Sequence, residues 1–155
     1  MTDVDVLNGT LASEHLGIAA YDAALGSGLL DEPTAKVARA FQSDHKKHRD
    51  VVSEQIVARG GTPVSALGAD HYAKSFPPLT TAEEIVAYAI ELEAGAARAY
   101  VASVAEYEDR GLALLGAKIG GVEAQHWAVL LAATGANPVP SALIDVMVMQ
   151  PTSPS

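Results

Sequence analysis

The chain has 155 residues, no cysteine, and 19 acidic against 10 basic side chains for a formal charge of −9. That length suits one domain burying its own core, and the missing thiols exclude disulfides, thiolate zinc sites, iron–sulfur clusters and cysteine nucleophiles, so any metal must be held by nitrogen and oxygen. The negative charge opposes binding to nucleic acid or to an anionic membrane, although six of the basic residues (Lys36, Arg39, Lys46, Lys47, Arg49, Arg59) fall in one predicted helix, where a small DNA-contacting patch would have to sit.

The stretch Met1 to Asp5 has neither a basic nor an apolar segment of a leader, and no apolar run reaches the roughly 20 residues of a membrane span, so a soluble cytoplasmic protein is expected. Apolar residues recur at three- and four-residue steps in four long segments, which is the helical period. Helix one is predicted from Asp3, as N-cap, to Leu25, with Gly26-Ser27-Gly28 stopping it. Helix two begins near Pro33, tolerated in a first turn, and ends at Gly60-Gly61. Thr62 to Thr80, with Pro63, Pro77 and Pro78, reads as a long connection. Helix three opens with Thr81 and Glu84 at capping-box spacing and is predicted to run to about Asp109. Helix four follows almost directly and ends at Gly135. Beyond Pro138 and Pro140 come a short apolar piece, Ala142 to Met149, and a Pro/Ser tail expected to be disordered. The domain reading is thus a bundle over residues 1–139 and a partly disordered extension over 140–155.

Short, long and short connections describe an all-α bundle of two helical hairpins joined by a crossover. A variable surface loop of no consequence would have the same length, so length alone does not decide. A repeat adds to it. Glu14 is followed two turns later by Tyr21, and Glu93 likewise by Tyr100; His45-Lys46-Lys47-His48 in helix two matches Glu123-Ala124-Gln125-His126 in helix four. Even the helix ends echo one another, Gly60-Gly61-Thr62-Pro63-Val64 against Gly135-Ala136-Asn137-Pro138-Val139, as a duplicated hairpin would leave them.

These polar residues fall on the apolar stripes. Glu14 stands between Leu11 and Ile18, Glu93 between Ala89 and Ala97, Glu123 and His126 between Ile119 and Leu130, and His45 and His48 between Phe41 and Val52. Four helices therefore bring acids and imidazoles to one buried level. Burying an unpaired carboxylate costs several kcal/mol, against a domain stability of roughly 5–15 kcal/mol. Lys46, Lys47, Arg49, Arg98 and Lys118 project from neighbouring faces and do not supply the countercharge. Two divalent cations ligated by Glu14, His45, His48, Glu93, Glu123 and His126 would supply it. A network of neutral, proton-sharing Glu and His is the alternative, since burial raises carboxyl pKa values.

The order Glu, a pair ending in His, Glu, then Glu-x-x-His resembles the ferritin-like superfamily, and most its small stand-alone members near the desiccation-related branch. The resemblance spans about Asp3 to Val139. It implies a non-haem dimetal carboxylate centre, usually iron with manganese or zinc fitting the same donors, that reacts with O₂ or H₂O₂ as a ferroxidase or peroxide scavenger. It carries over Glu14, Glu93, Glu123, His48 and His126 as ligands, and implies a homodimer or larger homo-oligomer. His45 departs from the pattern by standing where such bundles place a Glu. Two divalent ions would then leave a charge of about +1, which keeps open a single-metal site and Asp44 as the ligand in place of His45. Tyr21 and Tyr100 either hydrogen-bond ligands of the opposite hairpin or turn their hydroxyls to water. Gly17, Gly95, Gly120 and Gly121, unfavourable inside helices by up to about 1 kcal/mol each, admit close helix approach, a channel or a local bulge. A reading from another class is a non-catalytic helical scaffold or stress-protection protein with a structural metal or none.

Overall fold

The computed structural model describes residues 1–144, so most of the expected apolar piece and the whole Pro/Ser tail lie outside the described residues. Among the described residues are five helices and no strand: α1 (Asp3–Gly26), α2 (Glu32–Ala58), α3 (Ala69–Ser75), α4 (Ala82–Val104) and α5 (Arg110–Ala133).

Local chemistry sets these boundaries. Thr2, not Asp3, caps α1: its side chain accepts from the Asp5 amide while the Asp5 carboxylate accepts from the Thr2 amide at 2.8 Å, a reciprocal pair that Asp3 has no partner to make. Asp31 caps α2 through the Thr34 amide, with Pro33 in the first turn. The predicted Thr81–Glu84 box opens α4. The expectation that helix three reaches Asp109 is corrected, because α4 ends at Val104. The Asp3 carboxylate accepts from the amides of Glu108 and Asp109, at 2.8 and 3.1 Å, and the Asp109 side chain turns to cap α5 at Gly111 and Leu112. Those amides serve a turn instead of a helix. Gly60 and Gly135 take positive φ, 72° and 77°, just beyond α2 and α5, where a side chain would be strained.

Leu7 and Leu11 near the start of α1 pack with Val52 and Ile56 near the end of α2, with Tyr100 of α4, and with Leu112 and Ile119 early in α5. Tyr21, Ala38, Phe41 and Leu130 form a second apolar cluster, flanked by Ala89, Ile90 and Leu92 of α4. Each hairpin is therefore antiparallel, and α2 ends at the opposite end of the bundle from where α4 begins. The crossover has to travel that length. It is held along α1 by Asn8, whose side chain receives the Val64 amide at 2.8 Å, and by His15, which donates to the Val64 carbonyl at 3.1 Å. The short helix α3, not expected from the sequence, is anchored by buried Tyr72. Between the two apolar clusters lies the polar layer.

Candidate metal centre

Glu93 and Glu123 are 0% exposed, Glu14 and His45 1%, His126 4% and His48 9%, so all six side chains predicted for the layer lie out of water. The structure brings them together in two overlapping groups, Glu14, His45, His48 and Glu123 on one side and His45, Glu93, Glu123 and His126 on the other, with one donor atom per residue lying within 4.8 Å of the rest. Donors on a single ion bonded at about 2.0–2.2 Å are at most about 4.4 Å apart, so a small contraction closes either group. His45 and Glu123 belong to both.

His45 faces carboxylates through both ring nitrogens, Nδ1 at 2.7 Å from Glu14 Oε2 and Nε2 at 3.3 Å from Glu93 Oε1. Without an ion between them, both contacts are hydrogen bonds when the ring carries two protons beside ionised carboxylates, or when one carboxyl keeps its proton and donates it to a neutral ring. Burial pulls the imidazolium downward, but the hydrogen bonds to Glu14 and Glu93 and the charge of Glu123 outweigh it and raise the pKa to about 11. Gly17 makes this placement possible, since a Cβ there would sit 3.0 Å from His45 Cε1. His126 behaves similarly: burial opposes its charge, Glu123 and Glu93 favour it, and the pKa rises to about 9. For Glu123, burial acts against the anion, yet the imidazoles of His126 and His48 hold its carboxyl below the usual range.

Hydrogen bonding does not complete the layer. His48 Nδ1 lies 2.8 Å from Glu123 Oε1, but the approach is out of line, and His48 Nδ1 and both Glu123 oxygens are buried with no hydrogen-bond partner. Such orphans are unusual in a dry interior. Every ion pair within the layer joins an imidazole to a carboxylate, and no Lys or Arg takes part. Nitrogen and carboxylate oxygen aimed at a common point, with one anion unsatisfied, is a donor set that a divalent cation completes. The residues fit the group that the sequence implied.

Residues around the layer hold it in register. Tyr21 of α1 donates to Glu93 Oε1 of α4, and Tyr100 of α4 donates to Glu14 Oε1 of α1, so each tyrosine supports the acid of the other hairpin. Burial and the adjacent carboxylates push both phenols well above their ordinary pKa, which keeps them donors. Asp44 stands at the rim, half-buried, bonded to Lys47 at 2.8 Å and 3.4 Å from His126 Nε2, while His45 occupies the interior. Phe41 stacks on His126 with centroids 3.9 Å apart and planes 18° from parallel. Sequence reasoning treated it as plain core; its position one helical turn before His45 was the available signal. Trp127 is half-buried between α4 and α5, with the Arg98 guanidinium 5.3 Å above its ring.

A family model described as a ferritin-like domain matches residues 2–136. The chain belongs to the ferritin-like family. Among solved structures, this ferritin-like chain is similar to a conserved hypothetical protein from Mycobacterium tuberculosis, with a TM-score of 0.73 and 23% identity over 90% of this chain and 94% of that one, a likeness of fold. No curated protein matches the chain. No helix among the described residues is long and apolar enough to cross a membrane.

Proposed function

We propose that this ferritin-like protein is a dimetal carboxylate protein, with iron the first choice of metal and manganese or zinc fitting the same donors, reacting with O₂ or H₂O₂ as a ferroxidase or peroxide scavenger. In this reading Glu14 and His48 hold one ion, Glu93 and His126 the other, and Glu123 and His45 lie between them. The single observation that carries it is the buried Glu123 carboxylate, both oxygens unpartnered, beside an unpartnered His48 Nδ1. When bound, a reduced iron pair supplies electrons to O₂ or peroxide, replenished from further Fe²⁺ or from an external reductant.

The chain's own residues do the rest. Tyr21 and Tyr100 hold Oε1 of Glu93 and Glu14, while Oε2 of each faces an imidazole, His126 at 3.3 Å and His45 at 2.7 Å, contacts that would give way to an ion as charge in the layer changes. Phe41 fixes the plane of His126 and keeps water off that face. The apolar clusters above and below leave each charge contact little screened. A domain over residues 1–139, a cytoplasmic setting and assembly as a homodimer or larger belong to the same proposal.

A one-metal form is the second reading, favoured by the contacts of His45 with Glu14 and Glu93, which a second ion must displace. Elemental analysis of protein purified without chelator separates the two, with about two equivalents of metal expected from two overlapping donor groups and about one in the alternative. Anaerobic Fe²⁺ loading followed by O₂ or H₂O₂ should consume oxidant. Uptake of metal without oxidant consumption removes the redox reading, and a stable protein with no metal affinity removes the centre as well.

A further inference from the structure

A cleft of about 310 Å³ opens between α1 and α4, and its walls include both Glu14 and His45. The exposed residues Glu91, Gly95 and Ala99 form its rim, Ser13 and Leu16 of α1 stand half-buried opposite, and the two nearly inaccessible cluster residues lie at its bottom. The smaller and more enclosed apolar cavity near Tyr21 and Phe41, about 230 Å³, has no charged side chain in its wall. A cation entering there would lose its water against mostly apolar groups with no anion to replace it.

Gly95 supplies the second observation. A glycine in a helix interior is unfavourable by about 1 kcal/mol relative to Ala, and a close neighbour is the usual justification. Gly17 has one in the His45 ring and Gly120 has one in Tyr100, 3.0 Å from where a Cβ would lie; Gly95, like Gly9 and Gly121, has nothing within 4 Å, but of these three Gly95 alone lines the cleft. Its effect is the open space it leaves over the cleft. Glu91, one turn before it on the rim, places a negative charge at the mouth.

We propose that this α1/α4 cleft is the passage by which divalent cations reach the buried centre, with Gly95 keeping it open and Glu91 drawing the cation to it. The inference rests on the dimetal reading above, and it concerns rate, since a passage changes loading and release together and leaves affinity alone. The test follows Co²⁺ uptake by the metal-free protein through its d–d absorption after rapid mixing, alongside equilibrium titration and thermal melting. Gly95→Leu, whose side chain has room to fold into the cleft, should load about tenfold more slowly or worse, with unchanged stoichiometry and affinity and an equal or higher melting temperature. Ala99→Leu, one turn away, should act in the same direction and keeps the test valid if the first variant folds poorly. Glu91→Gln should slow loading by about threefold at low salt and little at high salt. If wild-type protein binds Co²⁺ and both Leu variants load at its rate, the passage lies elsewhere and the centre stands. If a slower rate comes with an equal loss of affinity, the residues act on the site itself and the passage is rejected. Wild-type protein taking up no Co²⁺ would overturn both the centre and its passage.

Discussion

The α1–α2 and α4–α5 hairpins present nearly the same polar pattern to the layer they share, yet at one matched position His45 faces Glu123. The two residues solve burial in opposite ways. His45 engages carboxylates through both nitrogens, whereas Glu123 has both oxygens without a hydrogen-bond partner. A histidine among three acids partly neutralises the layer in the metal-free protein, and the unmatched Glu123 leaves an anion that a cation could satisfy. The difference teaches that one substitution in a symmetric layer can ease folding without metal while keeping an anion for the metal to satisfy.

Removing the difference should have the largest effect. His45→Glu would give the hairpins matching residues and gather four buried carboxylates with less countercharge. The metal-free protein is expected to lose about 3–5 kcal/mol of stability, seen in denaturant melts, and to bind its second ion more tightly in calorimetric titration. Equal metal-free stability would show that His45 is not the compensating charge.

Next comes Glu123, which with His45 belongs to both donor groups. Glu123→Ala should weaken binding of both ions by about a hundredfold or more, whereas Glu14→Ala, which touches one group, should leave about half the wild-type metal on elemental analysis. A third comparison uses the tyrosines. Tyr100→Phe leaves Glu14 Oε1 without its hydrogen-bond donor and should destabilise the fold by about 1.5–3 kcal/mol, whereas Tyr21→Phe leaves Glu93 Oε1 its 3.3 Å contact with His45 and should cost less. Equal losses would mean that the His45 contact contributes nothing to holding Glu93.

The smallest change per step is a drift with pH. Because the His45 pKa is raised from 6.5 to about 11 in the folded protein, its contribution is fully present below about pH 6.5 and fades as pH climbs toward 11. The Glu123 pKa is lowered from 4.5, so its contribution is present above about pH 4.5 and is lost as pH falls. Metal-free protein should therefore melt highest between these values. Bound metal should remove the alkaline slope, since the ions replace the protons on His45.

Much of this arrangement was legible in the sequence because each polar residue stands where the helical period calls for an apolar one. Glu14, Glu93, Glu123 and the histidines of α2 and α5 could be placed at one level from spacing alone. The six residues meet there. Less legible was anything set by contacts between distant segments. The end of α4 moved from Asp109 to Val104 because Asp3, at the other end of the chain, takes two amides from that turn. The placement of His45 across both groups depends on the missing Cβ of Gly17, which in sequence is only an unfavourable helix residue. Helix α3 was hidden by a Pro-rich connection, and the stacking of Phe41 on His126 needed the packing of α2 against α5.

The crossed tyrosines carry a consequence for ancestry. A lone hairpin holds an acid whose supporting phenol belongs to the other half, so no half-length peptide can assemble the arrangement from its own residues. An ancestor of half this size would have had to work as a self-associated pair, each copy steadying its twin. Fusion into one chain would have released the two copies to diverge, and a histidine at position 45 facing a glutamate at position 123 is a difference that a strictly symmetric pair could not have held on one side alone.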